Sequence, residues 1–401
     1  MKGLMEMSEE LCQKYDTPLY ITDGDKVIAN YRRVSRAFSD IPTRVYYACK
    51  ANTNLTILHL LQKEGCWADT VSIGELFCCL KAGFSAERIM FTGTSVRDDE
   101  LSYLTDAGVM INIDSLSELV RLSKISTEPP LSFRVNPGIG AGHHKKVVTG
   151  GEGSKFGIPI DRIEGAVRRG KELGFEVEGL HCHIGSGIME FRPFLEVVDV
   201  MRELAERIEK STGVEFEFID IGGGFGVPYR PGEREFELEK LAREISPRFR
   251  GKTLAIEPGR YIVADSTILL TRVNTIKETE KKTFVGVDAG FNTLIRPAMY
   301  GAYHHIVLVG GAEGEKRYDI AGPLCESGDL LAVDRELQEV KEGDLIAIMD
   351  VGAYGFSMCS NYNSRPKPAE VMVKDGNYYL IRESEKLEDL IAHQTIPEEL
   401  I

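Results

Sequence analysis

What most constrains this chain is an alternation. Between residues 44 and 260, eight short runs rich in branched and aromatic side chains are separated by seven stretches with helical spacing. The strand-type runs cover 44–50, 67–72, 88–93, 109–114, 131–136, 177–185, 216–222 and 253–260. The helical stretches cover 55–64, 74–82, 98–107, 116–125, 162–173, 193–211 and 236–249. In the sixth of these, Phe194, Val197, Val198, Met201, Leu204, Ala205 and Ile208 follow i, i+3, i+4, i+7 spacing, with Pro193 where a first helical turn tolerates proline. Eight β units joined by helices in roughly 220 residues fit an α/β fold, a closed (β/α)8 TIM-like barrel. An open doubly wound sheet is the alternative, but no glycine fingerprint follows the first strand.

Beyond about residue 268 the helical spacing stops. Apolar runs at 268–274, 283–287, 305–309, 345–350, 369–373 and 378–382 lie between glycine-rich turns, the pattern of an antiparallel β domain. A short acidic helix is expected at 385–392. The first residues read as a helix over 5–14 and an apolar run over 18–22. The expected division is a barrel over 26–268 and a β domain made of 1–25 and 269–401.

Composition matters for what it excludes. A net charge of −14 offers no basic face to nucleic acid or an anionic membrane. No apolar stretch reaches the length of a membrane span. Eight cysteines with no repeated spacing and no CxxC pair fit reduced thiols better than a disulfide framework. The acidic N-terminal stretch lacks the apolar segment of a signal peptide, so a cytoplasmic location is expected.

In a barrel of this kind the active site lies at the C-terminal ends of the strands. Lys50 stands at the end of the first run, where a lysine either snorkels to water or, when desolvated, forms an imine with a carbonyl. His181, His183 and Ser186 close the sixth run, Gly222, Gly223 and Gly224 the seventh, and Glu257, Gly259 and Arg260 the eighth. Bare glycine N–H groups suit an anion, and Arg260 adds a bidentate charge. His181 and His183 share one face of a strand and could be half a metal site. No carboxylate or histidine cluster at ligand spacing completes the pair, so no metal is expected. An amine, an anion cradle, an imidazole and a carboxylate at one mouth make up the set that pyridoxal phosphate requires.

The motifs YYACKAN (46–52), SKFGI (154–158), HCHIGSG (181–187), GGGFG (222–226), EPGR (257–260), IRPAMY (295–300), CESGD (325–329) and GAYGFSMCSNYNSRPKPAEVMV (352–373) run through almost the whole length. In these the chain resembles the barrel-type pyridoxal-phosphate decarboxylases, which share the alanine-racemase-like architecture, and most closely their diaminopimelate branch. Ornithine and arginine decarboxylases share the lysine, HIGSG-like, GGG and EPGR elements, whereas IRPAMY, CESGD and the 352–373 motif resemble the diaminopimelate branch alone.

The resemblance implies that Lys50 holds the cofactor and His183 stacks on its ring, leaving His181 structural. It implies that Ser186, Gly223, Gly224, Gly259 and Arg260 bind or line the phosphate, and that Glu257 pairs with the ring nitrogen. The implied substrate is meso-2,6-diaminopimelate, with Arg260, Arg296 and Tyr300 on a carboxylate, Glu326 on the distal ammonium, and Tyr354 facing cofactor and substrate. Cys325 is the implied proton donor, and CESGD is implied to come from the partner of a homodimer with shared active sites.

Two features depart from the diaminopimelate pattern. Asp69-Thr70-Val71-Ser72-Ile73-Gly74-Glu75 resembles the ornithine branch, and Cys49 is unusual beside the lysine, which leaves room for relaxed substrate choice. The stretch 143–152 is expected to form a mobile lid, with a flexible surface loop as the alternative. Competing functions are a decarboxylase of ornithine, arginine, lysine or carboxynorspermidine, and a non-catalytic regulatory homologue.

Overall fold

The structure is a computed structural model that describes residues 2–140, 142, 151, 153–249, 251–312 and 314–401. The chain divides into two compact units, one of residues 26–228 and 232–263, the other of 1–25, 229–231 and 264–401.

In the first unit eight parallel strands close on themselves. They are Thr43–Ala48, Trp67–Thr70, Ile89–Phe91, Met110–Ile113, Leu131–Asn136, Val177–His181, Phe218–Asp220 and Thr253–Ile256. Each pairs with the next, and the last pairs with the first through Ile256 and Val45. Helices fill the connections, so most strand residues are buried on both faces. Strand side chains alternate between faces, and the barrel uses that alternation to stack two layers. Tyr46, Trp67, Met90, Met110, Phe218 and Ala255 form an apolar cluster. Gly179 makes room for it, since a Cβ there would sit 2.3 Å from the Phe218 ring. Two positions further along the same strands stand Asp69, Thr92, Asn112, His181, Asp220 and Glu257, all buried and polar. The apolar layer seals one end of the barrel, and the polar layer forms the floor of the C-terminal mouth.

The helix Arg192–Thr212 buries all seven apolar residues expected from its spacing and stops at Gly213, whose φ is +64°. Several elements differ from the sequence reading. The first strand ends at Ala48, and Cys49–Ala51 is a 3-10 turn, so Lys50 sits one turn beyond the strand rather than on it. The helix Gly24–Ala37 is absent from the expected elements, although Val27, Tyr31, Val34 and Phe38 are buried at helical spacing. The stretch 143–152, read as a lid, lies outside the described residues apart from Gly151.

The second unit is a nine-stranded sheet. Its main path runs Leu330–Leu337, Lys316–Ala321, Thr283–Val287, Thr267–Glu278, Leu19–Asp23, Ala369–Lys374 and Asn377–Arg382. Leu345–Ile348 also pairs with Thr267–Glu278 and carries Ile306–Leu308. Most pairings are antiparallel, but Leu19–Asp23 runs parallel to Ala369–Lys374, and Thr283–Val287 parallel to Lys316–Ala321. The strands Lys316–Ala321 and Leu330–Leu337 were not expected: only part of each is buried, so polar residues interrupt the signal. The expected acidic helix is a 3-10 turn, Leu387–Ile391.

Candidate active site

In the barrel unit the polar floor and the loops above it converge on Lys50. Its Nζ lies 2.7 Å from Asp69 Oδ2, with the lysine side chain 33% exposed and the aspartate fully buried. A lysine turned inward thus obtains a carboxylate instead of reaching for water. Cys49 packs beneath it, its Sγ 3.3 Å from that of Cys79, as a buried small side chain. The eighth strand closes over the same turn. A Cβ on Gly259 would meet Ala48 and Ala51 at 3.0 to 3.1 Å.

The glycine run after the seventh strand is shaped by close approach. A Cβ at Gly223 would lie 1.9 Å from the carbonyl oxygen of Glu257, and one at Gly224, where φ is +99°, would lie 2.1 Å from that of Gly185. Only glycine fits there. The Gly223 N–H donates to His183 Nδ1 at 3.2 Å, which fixes the ring and leaves Nε2 carrying the proton. Burial, and then the charge of Lys50, push the His183 imidazolium down to about 3, so His183 presents a neutral ring. Beside it Arg260 donates to Ser186 Oγ at 3.1 Å.

The floor contains a cluster that spacing along the chain did not reveal. Ligand-type atoms of His181, Asp220 and Glu257 all lie within 4.8 Å of one another, and all three residues are buried. The cluster takes His181 but not His183, and Asp220 and Glu257 arrive from other strands. His181 Nε2 lies 3.1 Å from Glu257 Oε1 but outside hydrogen-bond geometry, so Glu257 Oε1 and Asp220 Oδ2 have no hydrogen-bond partner. Burial and the charge of Glu257 raise the Asp220 carboxyl well above the usual range. For Glu257 burial acts upward too, but His181 and Lys50 outweigh it and hold the group low. Neighbouring carboxyls separate in this way because like charges in a dry site cannot all ionise. Glu257 is held as the anion, and the Asp220 carboxyl is pushed up beside it.

The second unit carries the remaining residues. Arg296 and Tyr300 lie one turn apart on the short helix Arg296–Tyr300. Arg296, 2% exposed, donates from Nη1 to His304 Nε2 at 2.8 Å and stacks on Tyr229, with Cζ 4.7 Å from the ring centre. Tyr354 holds a left-handed backbone, φ +58°, a conformation that costs a non-glycine residue about 1 to 3 kcal/mol and clusters at functional sites. Cys325 is exposed, with Asn363 Nδ2 donating to its Sγ at 3.3 Å. Tyr362 donates its hydroxyl to Glu326. The CESGD loop is pinned from beneath by Asp329, which accepts N–H bonds from Phe291 and Leu324 at 2.6 and 2.8 Å. Asp69, Asp220, His304, Tyr362 and Asn363 were not among the residues expected from sequence. Asp69 and Asp220 had a signal, each standing two places beyond an inward apolar residue on a barrel strand, and Tyr362 and Asn363 lie within the 352–373 motif; His304 had none.

The barrel residues fit pyridoxal phosphate. The inward amine of Lys50 suits its aldehyde, and the glycine run with Ser186 and Arg260 suits its phosphate. The unpartnered, buried oxygen of Glu257 suits its ring nitrogen. Comparison with known proteins agrees. Residues 24–264 match the family described as pyridoxal-dependent decarboxylase, pyridoxal binding domain, which defines the class. The chain is 51% identical to the diaminopimelate decarboxylase of Methanothermobacter thermautotrophicus over 98% of this chain and 95% of that one. Crystal structures of diaminopimelate decarboxylase in complex with L-lysine are similar. The one from M. jannaschii has a TM-score of 0.92 at 37% identity, covering 98% of this chain and 95% of the other. The one from Helicobacter pylori has a TM-score of 0.91 at 37% identity, covering 96% and 98%. The chain belongs to the diaminopimelate decarboxylase family of barrel-type, pyridoxal-phosphate-dependent decarboxylases.

Proposed function

We propose that this protein removes CO2 from meso-2,6-diaminopimelate to give L-lysine, the last step of lysine biosynthesis. The observation that carries the substrate is Arg296. A guanidinium 2% exposed, held by an imidazole on one edge and a tyrosine ring on one face, is suited to a carboxylate fork. Ornithine and lysine have no second carboxylate to use it. L-lysine in the crystal structures of two relatives supports the same product.

Bound pyridoxal phosphate supplies a conjugated ring that delocalises the electron pair left at the α-carbon when the bond to CO2 breaks. The protein's own groups do the rest. Lys50 holds the cofactor through its amine, and Asp69, 2.7 Å away, keeps that nitrogen oriented. His183 covers the ring as a neutral plane. Ser186, Gly223, Gly224, Gly259 and Arg260 hold the phosphate. Glu257, kept anionic, favours a protonated ring nitrogen. Arg296, with Arg260 and Tyr300, receives a substrate carboxylate, Glu326 the distal ammonium, and Tyr354 faces both cofactor and substrate. Cys325 delivers from Sγ the proton that replaces CO2.

The reading includes a homodimer in which the CESGD loop completes the partner's site. The exposure of Cys325 and Glu326 supports it, since a proton donor must be dry to act. It also assigns residues 26–268 to cofactor binding and 1–25 with 269–401 to the domain bearing the substrate-binding groups. A cytoplasmic location is supported by eight cysteines that are all free thiols. Among the described residues no helix is long and apolar enough to cross a membrane. Product analysis tests the function: the cofactor-loaded protein with meso-diaminopimelate should yield L-lysine and CO2 in equal amounts. Consumption of substrate with no lysine formed is the contrary result.

A further inference from the structure

We propose that His304 is a positioning residue for the reaction: it aims the Arg296 guanidinium at the substrate carboxylate, acting as a neutral imidazole in a single tautomer. The proposal rests on the reading that Arg296 binds a carboxylate, and deepens it. His304 is 0% exposed, and two contacts define its state. Its Nδ1 lies 2.8 Å from the carbonyl oxygen of Met349. A carbonyl only accepts, so Nδ1 carries a proton. Its Nε2 lies 2.8 Å from Arg296 Nη1. A guanidinium only donates, so Nε2 offers a lone pair. Both bonds form together only with the ring neutral and protonated at Nδ1.

The imidazole is itself held by the sheet. The N–H of Met349 donates to the carbonyl of His305 at 2.9 Å, and Ile306 pairs with Ile348 in the adjoining strands. The carbonyl that orients the ring is therefore fixed in register with the residues flanking it. Tyr229 completes the arrangement. Its ring meets that of His304 edge to face, centres 5.4 Å apart at 77°, while its face lies against Arg296. One edge of the guanidinium plane is thus set by His304 and one face by Tyr229. The chemistry explains why a neutral acceptor stands here. A carboxylate would orient the arginine equally well but would cancel its charge and compete with the substrate carboxylate. An imidazole lone pair orients it and leaves the charge in place.

The test is steady-state kinetics of cofactor-loaded H304N, H304Q, R296A and R296A/H304N with meso-diaminopimelate, with cofactor content and Tm recorded for each. Asparagine can still donate to Met349 but is too short to reach Arg296; glutamine can offer its amide oxygen to the arginine. Losing one hydrogen bond to a charged group predicts a KM about 10-fold or more higher in H304N, with kcat changed by less than about threefold and cofactor content unaltered. H304Q should return KM to within about threefold of wild type. R296A/H304N should be no worse than R296A, because the histidine acts through the arginine. An unchanged KM in R296A removes the reading of Arg296 itself. A raised KM in R296A beside a wild-type KM in H304N, or effects that multiply in the double variant, overturns the proposal and leaves Arg296 in place. If H304N does not fold, H304Q decides. A KM near wild type supports the proposal, and a rise of about 10-fold at native Tm and full cofactor content contradicts it.

Discussion

Glu257 is a carboxylate placed in a buried floor, its Oε1 3.1 Å from His181 Nε2. Glu257 stays ionised because His181 and Lys50 outweigh its burial, and a carboxylate so held favours a protonated ring nitrogen. E257Q should therefore lower kcat by about 100-fold or more, the order expected when an electrostatic partner is removed from a dry site. The cofactor dissociation constant, followed by absorbance, should change by less than about 10-fold; equal losses in both would contradict the role. His183 gives a pH signature. Its imidazolium is pushed down to about 3, against about 6.5 in the unfolded chain. Across that window the unfolded chain binds a proton that the folded one refuses, so stability falls as pH falls. H183F, which cannot titrate, should lose less stability than wild type between pH 6.5 and 4 in urea unfolding of the cofactor-free protein. Parallel losses would show that the histidine is not held neutral. The sequence already separated His183 from His181 by resemblance, but the reason His181 is present lay across the barrel, in Glu257.

At the scale of elements, the turn that follows the seventh strand is the tightest part of the site. A Cβ on Gly223 would collide with the main chain of Glu257, and main chain cannot swing away as a side chain can. G223A should cost about 3 kcal/mol or more, at the upper end of overpacking, and should be read as a fall in Tm together with loss of bound cofactor. A native Tm with cofactor retained would mean that the two loops do not approach as described. Much of the barrel was legible in the sequence because its helices repeat at 3.6 residues over long spans, as Phe194 to Ile208 do. The polar floor was legible in principle as well. Trp67 to Asp69, Phe218 to Asp220 and Ala255 to Glu257 are each one step of strand alternation. Which strands lie side by side settles whether those carboxyls meet, and no spacing along one strand carries that. The strands Lys316–Ala321 and Leu330–Leu337 were hidden for another reason: residues such as Lys316, Arg317 and Asp334 face water and break the apolar pattern.

At the scale of the whole molecule, the proposed role of Cys325 calls for two copies. If Cys325 serves the partner's Lys50, then K50A and C325A, each inactive as a homodimer, should regain activity when mixed and allowed to exchange subunits. Each mixed dimer would then contain one intact site, and random exchange predicts about a quarter of wild-type activity. No recovery, with exchange shown by differently tagged subunits, would place both residues in one chain's site. The net charge of −14 bears on solubility and leaves substrate choice to a few buried groups. That choice is the central claim, and one measurement tests it most directly: kcat/KM for CO2 release from meso-diaminopimelate, lysine and ornithine in parallel, with the cofactor-loaded protein. The account predicts a preference for diaminopimelate of at least about 100-fold over both, the discrimination available to a site built to receive a carboxylate that the wrong substrate lacks. Release from ornithine or lysine with none from diaminopimelate would contradict it.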